Sequence, residues 1–314
     1  MKKALSLILV LTVFAGMALG SGTEKKKEET KQIVNGESSD ANESSTANSD
    51  GAAVATEEKA ETTKASSIPT IEQQVVYNAD GITITAVEYT HDDFWNSDGI
   101  KFLIENNTQQ NITVGVKALI VNGFMVTDLF AADVASGTKK NETMNLLSNE
   151  LDAAGITSVG EIEIYFRIYD SDTWKDIAES DRVVIQTSNY SAMDIEADTS
   201  GSVLYDEGGI KIIGKYVDES SFWGKSVVLY IENNTDKNVI IQADNLSING
   251  YSLTSLFSST VYAERKAFDD ITLLSSELEE NGITSVDEVT LKFEIMDENF
   301  STIKKTEAIT FKTK

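Results

Sequence analysis

From residue 71 onward, apolar residues recur mostly at every second position. Ile162, Ile164, Phe166 and Ile168 alternate with Glu161, Glu163, Tyr165 and Arg167; Val289, Leu291, Phe293 and Ile295 alternate with Glu288, Thr290, Lys292 and Glu294. Such alternation places one face of a strand in a core and the other in water. Further strands are predicted at about 82–90, 100–106, 112–121, 140–147 and 182–187. Asn122-Gly123 predicts a two-residue hairpin turn, because both central positions of a type I′ turn need positive φ. Between strands, Ser148 caps a helical turn or two through Ala154, closed by Gly155. Ser275 or Ser276 and Gly282 take the same parts later. Seven or so short strands in roughly 115 residues, joined by polar turns, give an antiparallel β-sandwich, with a closed barrel as the other architecture.

The pattern occurs twice. Ile104-Glu105-Asn106-Asn107-Thr108 recurs as Ile231-Glu232-Asn233-Asn234-Thr235, Asn122-Gly123 as Asn249-Gly250, and Leu129-Phe130 as Leu256-Phe257. Gly155-Ile156-Thr157-Ser158-Val159 recurs as Gly282-Ile283-Thr284-Ser285-Val286, all at an offset of 127 residues. Phe94-Trp95 matches Phe222-Trp223 at 128. A period this long predicts a self-contained domain per copy rather than a solenoid repeat.

The N-terminus reads differently. Lys2 and Lys3 precede an apolar stretch from Leu5 to Met17, and Ala18 and Gly20 stand at −3 and −1 of a cut before Ser21, which predicts an export signal. The stretch is short for a membrane anchor. Ala18-Leu19-Gly20-Ser21 has the form of a lipoprotein box with serine in place of the lipidated cysteine. Membrane attachment is therefore expected only through an N-terminal anchor, if Ser21 replaces a cysteine. Residues 21–70 are rich in Ser, Thr, Glu, Lys, Ala and Asn and hold too little apolar area to offset the entropy of ordering.

The expected organisation is a signal peptide at 1–20, a disordered Ser/Thr/Glu/Lys-rich spacer at 21–70, a first sandwich at 71–188, a linker at 189–201 and a second sandwich at 202–314. The signal, the spacer and the Ile-Glu-Asn-Asn-Thr, Asn-Gly-Phe/Tyr and Gly-Ile-Thr-Ser-Val segments resemble uncharacterised Gram-positive (Firmicute) envelope lipoproteins with tandem immunoglobulin-like domains. The resemblance covers essentially the whole chain. It implies an all-β fold of two tandem antiparallel immunoglobulin-like β-sandwiches, and it brings no activity with it. Serine in the lipobox is the departure from that pattern. An antibody-type cysteine pair around a core tryptophan is also missing.

Charge and composition then narrow the chemistry. The 314 residues carry a formal charge of −25, no cysteine, one histidine and one proline. Of that charge, −23 lies on residues 71–314. Such a surface repels nucleic acid and anionic membranes. Thiol chemistry, disulfides and thiolate metal sites are excluded, and the lone His91, in a polar loop and replaced by Glu219 in the second copy, is a poor catalytic residue. No phosphate-binding glycine loop opens a helix, and no cofactor is expected.

Five aromatic residues are candidates for contact with a ligand. Phe94, Trp95, Phe222 and Trp223 lie in polar loops, where exposed rings stack on a sugar or partner, or alternatively plug the ends of the sandwiches. Trp174 lies in Asp170-Ser171-Asp172-Thr173-Trp174 with no counterpart in the second copy. Asp92, Asp93 and Asp98, or Asp170 and Asp172, are oxygen-rich enough to hold Ca²⁺ but match no EF-hand spacing. The resulting expectation is a non-catalytic, exported cell-envelope protein that binds or scaffolds, its partner a protein or glycan at the cell surface. The alternative is an extracellular hydrolase acting on a polysaccharide through a carboxylate pair.

Overall fold

The computed structural model describes residues 68–92, 97–146, 148–193, 196–219 and 224–313. The first half contains β1 (Gln74–Ala79), β2 (Ile82–Asp92), β3 (Ser97–Asn106), β4 (Ile112–Val121), β5 (Phe124–Val126), β6 (Ala131–Val134) and β7 (Lys139–Asn145). Helix α1 (Ser148–Ala154) follows, then β8 (Glu161–Asp170), β9 (Asp176–Glu179) and β10 (Val183–Gln186). The second half has the same order: β11 (Ser202–Glu207), β12 (Ile210–Asp218), β13 (Gly224–Asn233), β14 (Val239–Ile248), β15 (Tyr251–Ser252), β16 (Ser258–Val261) and β17 (Arg265–Leu274). Helix α2 (Ser275–Glu280) precedes β18 (Glu288–Met296), β19 (Thr302–Lys305) and β20 (Ile309–Lys312).

The fold is all-β, with three sheets among the described residues. One sheet has the order β1-β2-β3-β7, and a second is β15-β14-β18-β19, with β16 on β14 and β20 on β18. The third runs through both halves as β10-β8-β4-β5-β17-β13-β12-β11, with β6 on β4 and β9 on β8. Period-two alternation explains each core. Ile84, Phe102 and Ile104 face Val114, Ile164 and Phe166 in the first, where Phe102 meets Phe166 edge-on at 5.5 Å. In the second, Ile212, Leu229 and Ile231 face Ile241, Leu291 and Phe293.

The predicted strands appear with shifted ends, and β1, β5, β6 and β9 join them. Asn122 (φ 50°) and Gly123 (φ 85°) turn β4 into β5 as their sequence predicts. The expected serine cap does not form at α2, where the N-cap is Leu274, without a side-chain bond, and the helix begins at Ser275. The glycine closures do form: Gly155 and Gly282 adopt positive φ, and the amides of Ile156 and Ile283 return to Leu151 O and Leu278 O, each at 2.8 Å.

The twice-occurring segments are internal hubs. Buried Asn106 donates to Gln110 O and Val134 O and accepts from the amide and hydroxyl of Thr108. Asn233 does the same with Lys237 O, Val261 O and Thr235. Asn122 donates to Ser158 O and accepts from the amides of Gly160 and Glu161, and Asn249 repeats this with Ser285, Asp287 and Glu288. At the buried Asn106, Asn233 and Asn122 these bonds satisfy loop backbone that would otherwise lose water without a replacement.

The halves are joined through their sheets. β5 pairs in parallel with β17, Phe124 beside Lys266 and Met125 beside Ala267. Ile213, Val228, Tyr230 and Phe268 of the second half belong to the first half's core. Phe268 stacks on Phe124 at 6.2 Å and meets Tyr230 at 5.3 Å. Tyr262 packs edge-on against Tyr165 at 5.0 Å, beside Ala118 and Ile120. Glu163, 2% exposed, accepts from Arg182 of its own half and from Arg265 of the other, the latter at 2.9 Å.

The connection between the halves is clamped as well. Met193 lies where any side chain at Gly160 would stand, and Ala197 packs on the first core. The Lys215 ammonium, its side chain 5% exposed, donates to Asp198 O, Asp198 Oδ2 and Ser200 O. The Ser200 amide and hydroxyl, and then Lys215, hold the Asp198 carboxyl down at about 2.

Candidate functional site

The expected contact residues Phe94, Trp95, Phe222 and Trp223, together with Asp93, Ser21, the signal and the spacer through residue 67, lie outside the described residues. Trp174 is described. It ends the turn between β8 and β9 with φ 61° and 56% of its surface exposed. Its indole stacks on buried Tyr169 at 5.5 Å with 18° between the planes, and the Arg167 guanidinium lies 5.2 Å from the Tyr169 ring centre. Arg167 is itself fixed by Asp176 at 2.6 Å.

Trp174 has a counterpart after all. The turn between β18 and β19 is one residue shorter, so identity matching at a fixed offset passes over it. There Phe300 has φ 58° and is 55% exposed. The Trp174 amide bonds to Asp170 O at 2.8 Å, and the Phe300 amide to Asp297 O at 3.0 Å. Both aspartate side chains cap their turns. Asp170 Oδ1 accepts from the amides of Asp172 and Thr173 and from the Thr173 hydroxyl; Asp297 Oδ1 accepts from the amides of Asn299 and Ser301. Three residues beyond each ring stands an exposed isoleucine, Ile177 at 36% and Ile303 at 59%. Each sits at a register shift, between Asp176 and Ala178 or between Thr302 and Lys304.

Four of the five oxygen-rich positions, Asp92, Asp98, Asp170 and Asp172, are described. Asp170 spends its carboxylate inside the turn, and the Thr173 hydroxyl and amide lower its pKa. Asp92 and Asp98 lie on strands β2 and β3 rather than in a loop. Asp98 accepts from the Tyr89 hydroxyl at 2.7 Å and pairs with His91 Nδ1 at 2.8 Å. Among the described residues no group of three or more His, Asp or Glu side chains could hold a metal ion. His91, expected as an isolated loop residue, is a half-buried strand residue paired with Asp98 across the β2–β3 register. Burial, followed by the Asp98 hydrogen bond, raises the Tyr89 phenol pKa.

A cleft of about 260 Å³ lies at the junction of the halves, lined by Lys117, Met125, Asp128, Ser258, Thr260 and Asp269 among others. Asp128 accepts from the Phe130 amide, and burial lifts its carboxyl to about 6. Nothing in the sequence pattern singled out this acid, because the opposite wall of its cleft comes from residues about 130 positions away.

No family model and no curated protein matches the chain. Among solved structures, a protein of unknown function from Porphyromonas gingivalis W83 aligns with 71% of this chain and 93% of its own length, at 10% identity and a TM-score of 0.21. A likeness at that score carries no argument about fold or function.

Proposed function

We propose that the chain is a non-catalytic, exported cell-envelope protein in which two tandem immunoglobulin-like sandwiches, carried on an N-terminal spacer, act as a binding or scaffold module for a protein or glycan. The carrying observation is the junction. β5 on β17, the shared aromatic packing and the clamped connection hold two similar halves as one stiff body, which suits a module that presents surface at a fixed spacing. The exposed rings of Trp174 and Phe300 support the same reading, since neither belongs to a core. The test is a binding screen of the full chain against glycans and envelope proteins, with Phe268→Asn as the junction variant. Expected is saturable binding that weakens when the junction is loosened. Absence of any ligand in both panels counts against the reading.

A hydrolase is the second reading, favoured by the raised Asp128 carboxyl in a junction cleft that Asp269 also lines. Release of reducing ends from a polysaccharide, abolished by Asp128→Asn, is the result that would establish it.

A further inference from the structure

A turn position with φ near +60° suits glycine or asparagine, because a Cβ there crowds the backbone. Asn122, Asn249, Gly123 and Gly250 follow that rule in their hairpin turns, while Glu264, between β16 and β17, departs from it with φ 58°. At the β8–β9 and β18–β19 turns the chain places Trp174 and Phe300 instead. The flanking sequences differ, Thr173-Trp174-Lys175 against Asn299-Phe300-Ser301, yet ring, backbone conformation, exposure and the following isoleucine recur. Each ring is more than half exposed, Trp174 with one face against Tyr169, and neither lies within a core cluster. A costly conformation that serves no core is retained for what it presents.

What surrounds the rings indicates the ligand chemistry. Tyr169 lies against the indole of Trp174, and the Tyr169 ring in turn meets the guanidinium of Arg167, which is fixed by Asp176. On the strands that flank the Phe300 turn, the Glu294 carboxylate of β18 accepts from the Thr302 hydroxyl of β19 and pairs with Lys305 at 2.7 Å. An aromatic face on a turn whose flanking strands carry immobilised carboxylate acceptors and cationic donors matches a pyranose ring, whose C–H face is apolar and whose edge carries hydroxyls. A protein partner draws its affinity from a broad buried patch with central anchors, whereas these rings are two exposed positions on separate turns. The net charge of −25 disfavours acidic glycans.

We infer that Trp174 and Phe300 are two equivalent stacking subsites for a neutral or N-acetylated hexopyranose chain, one subsite on each half. This rests on the binding-module reading and names its ligand class. Two like subsites on one stiff body suit a polymer of repeating sugars, which offers both the same chemistry.

The experiment titrates the full chain by calorimetry with cellohexaose, chitohexaose and heparin, and checks each sugar by mass spectrometry afterwards. Expected is binding of a neutral hexasaccharide, weakened about tenfold by Trp174→Ala or Phe300→Ala, and no preference for heparin. Phe300→Gly supplies a readout that a structural role would not give: binding falls while the denaturation midpoint holds or rises, because glycine relieves the turn. A lowered midpoint in Phe300→Gly together with unchanged sugar affinity overturns the proposal. So does failure of both neutral sugars, or affinity indifferent to both rings. In those cases an envelope protein found by the wider screen leaves the binding-module reading standing. Cleavage of the hexasaccharide sinks the non-catalytic reading itself.

Discussion

The faces that meet at the junction and their counterparts at the outer ends of the molecule occupy the same strands of the same architecture, yet they differ in chemistry. Ile213, Val228, Tyr230 and Phe268 of the second half are buried against the first. Their counterparts Thr85, Lys101, Leu103 and Asn141 of the first half are largely polar. On the other side of the joint, Ala118, Ile120, Phe124, Met125, Glu163 and Tyr165 have the counterparts Asn245, Ser247, Tyr251, Ser252, Thr290 and Lys292. A head-to-tail contact repeats without limit unless its free ends are altered. Here the altered ends stop it after one joint, and charge on the free edge β7 (Lys139 paired with Glu105, Lys140 with Glu142) discourages strand addition.

Exchanging residues between the two settings tests that comparison. Phe268→Asn installs the outer residue at the joint and removes the ring between Phe124 and Tyr230. A loss of about 3–5 kcal/mol in urea denaturation is expected, with one cooperative transition becoming two. A single transition with an unchanged midpoint would sever the link between apolar face and joint.

Glu163→Thr, again the outer residue, leaves Arg182 and Arg265 facing the space of a buried carboxylate. It should cost about 2–3 kcal/mol, and adding Arg265→Met should restore much of this in a double-mutant cycle. Additive losses would mean the ion pair does not couple the halves.

The asparagine hubs differ in burial rather than in bonding. Asn122 is 4% exposed, whereas Asn249 is exposed. Asn122→Ala should cost about 2 kcal/mol and Asn249→Ala about 1, because water replaces the lost partners only at the second site. Equal losses would show that burial is not what separates the hubs.

The smallest effect runs the other way. With its carboxyl lifted to about 6 by burial, Asp128 holds a proton in the folded chain that the unfolded chain has released between its ordinary pKa near 3.8 and 6. Stability therefore declines as pH rises through that window, and the ionised form is a penalty above it. Asp128→Asn, which keeps an acceptor for the Phe130 amide, should gain about 1–2 kcal/mol at neutral pH and nothing below pH ~4. A gain independent of pH would point to packing instead.

Period two made the long strands legible, and Asn-Gly made the β4–β5 turn legible. β1, β5, β6 and β9 escaped because they are short or lie at edges, where side chains need not alternate between core and water. The joint did leave a signal. Ser226 to Ile231 reads Ser-Val-Val-Leu-Tyr-Ile and Ile210 to Ile213 reads Ile-Lys-Ile-Ile, where the first copy keeps Lys101 and Thr85 between its apolar residues. Unbroken apolar runs mean burial on both faces. Phe300 was hidden by a one-residue deletion in its turn. His91 looked solitary because Asp98, seven residues away, becomes its neighbour only through the β2–β3 pairing.

The parallel pairing of β5 with β17 also sets a clock on synthesis. β10 ends at Gln186 and β17 at Leu274, so about ninety residues separate a complete first half from the strand that covers its edge. At ~5–20 residues per second, Ile120 and Phe124 wait uncovered for roughly 5–20 seconds. During that wait β5 offers a neighbouring chain a template of three residues. Such a short template forms too few ladder bonds to hold a stranger, so the nascent edge keeps for its own C-terminal half a place that a longer strand would surrender to aggregation.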